Sequence, residues 1–118
     1  MAGRWKVSRR PSPAVFRSKE LKDFLKELSP NNNRRRWVAD MEDILKENMF
    51  AGEPIPKRPI PAHYVRRYGV NNLYRYAHPK GYRSCYILIY QDGLGVCSLI
   101  IDIMSHSQYD RVFHYRGG

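Results

Sequence analysis

Two hydrophobic periods succeed one another along the chain, and the change falls near residue 71. In the first half the apolar residues recur at helical spacing. Leu21, Phe24, Leu25 and Leu28 stand at i, i+3, i+4 and i+7, one apolar stripe, and Lys19, Lys22 and Lys26 lie off it. Ser18 is placed to cap this helix, which is expected to run to about residue 28. Pro30, Asn31, Asn32 and Asn33 predict a turn, and a second helix is expected over about 34–48. Its stripe is Trp37, Val38, Met41, Ile44 and Leu45, with Asp40, Glu42, Asp43 and Glu47 largely on the outer side. Two such helices joined by a short turn predict an antiparallel helical hairpin. Ahead of it, Ala14, Val15 and Phe16 form an apolar triplet that predicts a first strand.

Residues 50–70 contain Pro54, Pro56, Pro59, Pro61, Gly52 and Gly69, with Ile55, Ile60, Tyr64 and Val65 scattered among them. This reads as an ordered loop or extended connection, with Arg66 and Arg67 open to a helical turn. Beyond residue 71 the period becomes two. A strand is expected over Leu73–Ala77, a turn at His78, Pro79, Lys80 and Gly81, strands over 82–90 and 96–104, and a turn at 91–95. Residues 107–115 fit either a short strand or a helical turn.

Cys85, Ile87 and Ile89 share one face, as do Cys97, Leu99, Ile101 and Ile103. For these faces to meet, the hairpin loop must be odd in length. Asp92-Gly93-Leu94 with Gly93 left-handed satisfies this and sets Ile89 opposite Cys97 and Ile87 opposite Leu99. The same ladder continued puts Ser84 opposite Asp102 and brings Lys80 toward His106. A first turn over 77–81 places Arg75 opposite Arg83, two like charges that an anion between them would relieve. Both helical stripes need an apolar surface, and this sheet is the only candidate. The expected architecture is α+β: an N-terminal strand and an α-helical hairpin packed on an antiparallel three- to four-stranded sheet. Residues 1–13 are expected as a flexible basic arm and 14–118 as a single domain.

Charge narrows the function. The 118 residues carry 21 Lys+Arg against 11 Asp+Glu, a net charge of +10, which points to a polyanionic partner. The 2 cysteines, Cys85 and Cys97, lie in apolar strand runs without zinc-ligand spacing, so reduced, buried thiols are expected, and no metal or cofactor. A cross-strand disulfide is the lesser alternative. No apolar run reaches about 18 residues, and no signal-peptide core follows the basic N-terminus. A cytoplasmic protein without a membrane partner is expected.

Leu73, Tyr74, Arg75 and Tyr76, followed by Gly81-Tyr82-Arg83-Ser84-Cys85-Tyr86, resemble the core of the RelE/ParE toxin superfamily, where a basic strand leads through a turn into Gly-Tyr-Arg-x-x-Tyr. The segment 101–110, an apolar run ending in His106 with Tyr109 three residues on, resembles that superfamily's last-strand signature. The resemblance spans roughly residues 14–115. It implies the toxin of a type II toxin-antitoxin system. Such a protein cleaves mRNA, in many members on the ribosome, and is silenced by a cognate antitoxin protein. Cleavage proceeds by attack of the ribose 2′-OH on the adjacent phosphate, without metal. It implies Arg83 and Arg75 as phosphate-holding cations, His106 as general acid or phosphate contact, and Tyr109 as a stacking or proton-transfer residue. Lys80, Lys57, Arg58, Arg66 and Arg67 are the further candidate RNA contacts. Where some members carry lysines this chain has Tyr74, Arg75 and Tyr76, and arginine is a poor proton acceptor. That leaves His106 as the titratable candidate.

Blander readings stand beside these. His106 fits a strand-end histidine satisfied by backbone, and His78 and His114 fit surface positions. Tyr82, Tyr86 and Tyr90 alternate as residues packed on a sheet face. Arg34, Arg35 and Arg36 open a helix against its dipole, which makes rRNA contact a reasonable alternative to scaffold. The competing function is a non-catalytic toxin of the same fold, such as a gyrase-directed inhibitor, or an RNA-binding module.

Overall fold

The computed structural model describes residues 9–56, 60–69 and 72–113. The expected contacts Lys57 and Arg58, His114 and most of the basic N-terminal stretch lie outside these residues.

Among the described residues, five strands form one mixed sheet: β1 (Val15–Arg17), β2 (Glu53–Pro54), β3 (Leu73–Ala77), β4 (Arg83–Gln91) and β5 (Gly95–Ile100). Their spatial order is β1-β5-β4-β3-β2. β1 runs parallel to β5, and the other neighbours are antiparallel. The expected three- to four-stranded antiparallel sheet is therefore corrected to five mixed strands. The parallel pair arises because the helical hairpin and three strands intervene between β1 and β5, long enough for a crossover.

α1 (Lys19–Lys26) begins where Ser18 Oγ accepts the Leu21 N–H at 3.0 Å and itself donates to the Ile101 carbonyl at 2.7 Å. α2 (Asn33–Glu47) is capped by Asn32. Arg35 reaches back to the Ser29 and Leu28 carbonyls at the end of α1. Arg34 lies over the rings of Phe24 and Tyr82. Two of the three arginines at this helix start therefore hold the hairpin together.

Each sheet face has its own cover. Leu21, Leu25, Val38, Met41 and Leu45 from the hairpin pack on Tyr86 and Ile100, with Tyr74, Tyr76, Tyr82 and Leu88 around them. The opposite face bears Leu73, Cys85, Ile87 and Ile101. It is covered by α3 (Ala62–Tyr68) and α4 (His106–Phe113) through Tyr64, Tyr109 and Phe113. So the stretch 50–70, expected as loop, supplies β2 and α3, and Arg66 and Arg67 lie in that helix. Of the stretch 107–115, residues 107–113 are helical and the last two lie outside the described residues. Both cysteines are free and buried. His78, expected at the surface, is 7% exposed, hydrogen-bonded to Ser84 Oγ at 2.7 Å. Tyr82 and Tyr86 face the hairpin, but Tyr90 is 70% exposed.

The β4–β5 hairpin has the expected register, with Ile89 opposite Cys97 and Ile87 opposite Leu99, and Gly93 at φ +86. The ladder continues to Ile101, whose N–H donates to the Cys85 carbonyl at 2.9 Å. It then slips by one residue, since Arg83 and Met104 exchange both backbone bonds at 2.8 Å. This is a β-bulge. Asp102 is the residue left over, and its carboxylate takes the Cys85 N–H at 3.0 Å and the Tyr64 hydroxyl at 2.5 Å. The bulge turns Ile103 to the hairpin side while Ile101 stays on the other. The expected Ser84–Asp102 pairing and the shared face of Ile101 and Ile103 are both overturned by it. Gly81, the neighbour of Lys80, stands beside His106, 3.4 Å from its Cβ for a Cβ built on the glycine.

In the β3–β4 hairpin, Arg75 pairs with Cys85, and Ala77 pairs with Arg83. The expected Arg75–Arg83 pairing is corrected because the turn begins one residue later than assumed, at His78 rather than Ala77. A 3₁₀ turn at Pro79–Gly81 sits inside a His78–Tyr82 closure, with Lys80 at φ 62 and Gly81 at φ +79. At the start of the chain, Arg10 and Ser12 are tied to Met49 and Lys46, and Ser12 is buried. The docked segment thus reaches back ahead of residue 14.

Candidate functional site

Residues two apart on one strand share a face, and paired residues of neighbouring strands share it too. Arg75 pairs with Cys85, so Arg75 and Arg83 are diagonal neighbours on the face covered by α4. Across the bulge, the Arg83–Met104 bridge delivers the start of α4 to the same place. That start is a reciprocal cap: Ser105 N–H donates to Gln108 Oε1 at 2.9 Å, and Gln108 N–H donates to Ser105 Oγ at 3.2 Å. The spacing Ser105-x-x-Gln108 is the sequence signal for this helix.

The arrangement is a row. Glu53 Oε1 accepts from Arg75 Nη2 at 2.7 Å. Arg75 Nη1 reaches the Tyr109 hydroxyl at 3.4 Å. The Arg75 and Arg83 guanidinium carbons lie 5.9 and 5.2 Å from the Tyr109 ring centroid. Arg83 Nη1 donates to His106 Nδ1 at 3.1 Å, and His106 Nε2 lies 3.2 Å from Asp110 Oδ2. Arginine has no acceptor, so the Arg83 contact requires a lone pair on Nδ1. In this arrangement the ring proton sits on Nε2, facing Asp110.

The two ends of the row face solvent and the middle is rigid. The side chains of Glu53 and His106 are 70% and 59% exposed. Tyr109 is 2% exposed and stacks on Phe113 at 4.4 Å. Burial pushes the Tyr109 phenol above its ordinary value, and its bond from Arg75 only partly opposes that. It therefore stays protonated and serves as the platform on which both cations rest. The Glu53 carboxylate, foremost, and then the Tyr109 hydroxyl hold Arg75 more firmly protonated than a free arginine.

Beside the row lies a cleft of about 540 Å³, lined by Glu53, Arg75 and Arg83 on one side and by Ile44 and Tyr76 on the other. Its shape depends on Gly52. A Cβ there would stand 2.5 Å from the Arg75 carbonyl oxygen and 2.8 Å from Tyr86 Cε1. Tyr86 holds the loop by taking the Gly52 N–H at 2.9 Å and donating to the Met49 carbonyl at 2.8 Å.

Arg75, Arg83, His106 and Tyr109 are thus brought together. Lys80 is exposed in its turn. Arg66 and Arg67 line a separate open depression with His63 and Tyr68, and Arg67 is paired with Glu20. Sequence reasoning missed Glu53 and Asp110. Asp110 follows His106 at i+4, a signal that becomes legible once Ser105-x-x-Gln108 is read as a helix start. Nothing local marks Glu53, because its role depends on the pairing of a two-residue strand. Among the described residues, no group of three His, Cys, Asp or Glu side chains is placed to hold a metal ion, and no helix is long and apolar enough to cross a membrane. No known protein family, curated protein or solved structure matches the chain.

Proposed function

We propose that the protein is an endoribonuclease of the RelE type, which cleaves mRNA by attack of a ribose 2′-OH on the adjacent phosphate. The observation that carries this reading is the row itself. Two cations rest side by side on a rigid ring, with a titratable group at each end. In-line displacement at phosphorus needs a proton acceptor on the attacking side, a proton donor on the leaving side, and positive charge between them. Glu53 is the acceptor and takes the 2′-OH proton. Arg75 and Arg83 hold the non-bridging oxygens. The 2′-oxygen bonds to phosphorus as the P–O5′ bond breaks, and His106, carrying a second proton once Arg83 turns from Nδ1 to the phosphate, gives that proton to the departing 5′-oxygen and becomes neutral. The products are a 2′,3′-cyclic phosphate and a 5′-hydroxyl. Glu53 supplies the base that the arginine-rich strand lacks.

In the same proposal the substrate is mRNA on the ribosome and the protein is a toxin held silent by an antitoxin. The net charge of +10 fits the polyanionic partner, and the sequence resemblance supports the toxin role. The competing reading is a binding toxin or RNA-binding module using the same face. The engagement of Arg75 by Glu53 and of Arg83 by His106 favours it, because both cations already have protein partners.

The test is cleavage of end-labelled RNA, free and on ribosomes, by the full chain in chelator. Glu53→Gln, Arg83→Ala and His106→Ala are each expected to slow cleavage about 100-fold or more. Primer extension on mRNA after induction should show cuts that His106→Ala abolishes. Intact RNA together with salt-dependent binding lost in Arg83→Ala would replace the nuclease reading with the binding one.

A further inference from the structure

The cleft has two unlike walls, and the row uses only one. On the α4 side lie Arg75 and Arg83. On the α2 side lies Ile44, a member of the helix's apolar stripe that the core leaves 45% exposed, and beside it Tyr76. Between the walls runs the open edge of β3. β2 is two residues long and pairs only with Tyr74 and Arg75. Ile55 donates to the Leu73 carbonyl, and His78 donates to the Tyr82 carbonyl. By alternation, Leu73, Arg75 and Ala77 direct their backbone groups toward the β2 side. Ala77 lies beyond the end of β2, opposite Ala51, whose N–H is used by Asn48. No described residue pairs with the Ala77 edge, and Ala77 lines the cleft.

We infer that this second wall is a nucleobase pocket: an unpaired nucleotide with its phosphate on Arg75 and Arg83 lays its base against Ile44 and Tyr76, with its hydrogen-bonding edge on the Ala77 N–H and C=O. The inference rests on the RNA reading and adds to it a subsite for one unpaired nucleobase. The chemistry matches on both counts. A base needs an apolar or aromatic surface for its face and a donor–acceptor pair for its edge, and both stand beside the cations that bind its phosphate. A duplex offers neither, because its base faces are stacked and its edges are paired. Gly52 keeps the loop against β3 so that the space stays open.

The experiment titrates the full chain with nucleoside 3′-monophosphates, ribose 3-phosphate and inorganic phosphate. The nucleotides are expected to bind about tenfold more tightly than ribose 3-phosphate, the scale of one stacked base. Ile44→Ser, at an exposed position, should erase most of that increment and leave ribose 3-phosphate unchanged. Ala77→Pro removes the edge N–H without touching the β4 ladder and should weaken nucleotides alone, with a thermal melt confirming the fold. Arg83→Ala should weaken all three ligands. Equal binding of nucleotide and ribose 3-phosphate by the wild type would overturn the pocket while leaving the phosphate site intact, as would an Ile44→Ser variant that weakens both equally. Phosphate binding indifferent to Arg83→Ala, or absent, would overturn the RNA reading and the pocket with it.

Discussion

Buried His78 and half-buried Asp102, on opposite faces of the sheet, should make this fold's stability nearly insensitive to pH between about 4.5 and 7, and single substitutions should expose the cancellation. His78 lies under Trp37 and Tyr76 and is bonded to Ser84, and burial pulls its pKa from 6.5 to about 4. Asp102 sits in the bulge, where burial pushes its pKa from 3.8 to about 6 against the bonds from Tyr64 and Cys85. The signs are opposite. Between pH 4 and 6.5 the unfolded chain protonates His78 while the folded chain does not, so this group subtracts stability as pH falls. Between pH 3.8 and 6 the unfolded chain ionises Asp102 while the folded chain does not, so that group subtracts stability as pH rises. Linkage gives each a change of about 2 kcal/mol between pH 4.5 and 7, with residual solvent screening making this an upper figure. The assay is urea unfolding at half-unit pH steps for wild type, His78→Gln, Asp102→Asn and the double variant. Relative to wild type, His78→Gln should gain about 2 kcal/mol on going from pH 7 to 4.5. Asp102→Asn should lose about as much over the same range, and the double variant should run parallel to wild type. Parallel curves for wild type and either single variant would refute the burial argument for that group.

Three further outcomes follow from the geometry. Gly52→Ala drives a methyl group into the Arg75 carbonyl and the Tyr86 ring, so it should cost about 1–3 kcal/mol in thermal or urea unfolding and weaken phosphate binding at the cleft. Ser18→Ala removes both the α1 cap and the bond to Ile101 at a buried position, and a loss of about 1–3 kcal/mol is expected by the same measurement. Asp110→Asn removes the carboxylate facing His106 Nε2, so kcat for RNA cleavage should fall with little change in substrate affinity. An unchanged kcat would show that Asp110 does not act through the histidine.

Local chemistry determined much of this molecule. Ser18 and Asn32 set the two helix starts because a short polar side chain satisfies N–H groups that no other local group can reach. The β4–β5 register follows from side-chain alternation and a glycine that accepts positive φ. The grouping of Arg83, His106 and Tyr109 was implied by the family resemblance alone, and His106 and Tyr109 stand on α4 rather than on a strand. What the sequence could not carry were features made by pairing between distant segments. The parallel β1, the two-residue β2 and the assignment of each sheet face to a helix pair all depend on which surfaces meet, and short apolar runs fit either face. The bulge is the sharpest case. No local signal separates Asp102 from a strand residue, yet one extra residue there sends Ile103 to the other core and carries His106 to Arg83. It also leaves Asp102 to be satisfied by Tyr64 and the Cys85 N–H. Glu53 joins the site for the same reason: its position is fixed by a hydrogen-bonded pairing with Arg75, 22 residues away, and only the folded chain brings the two together.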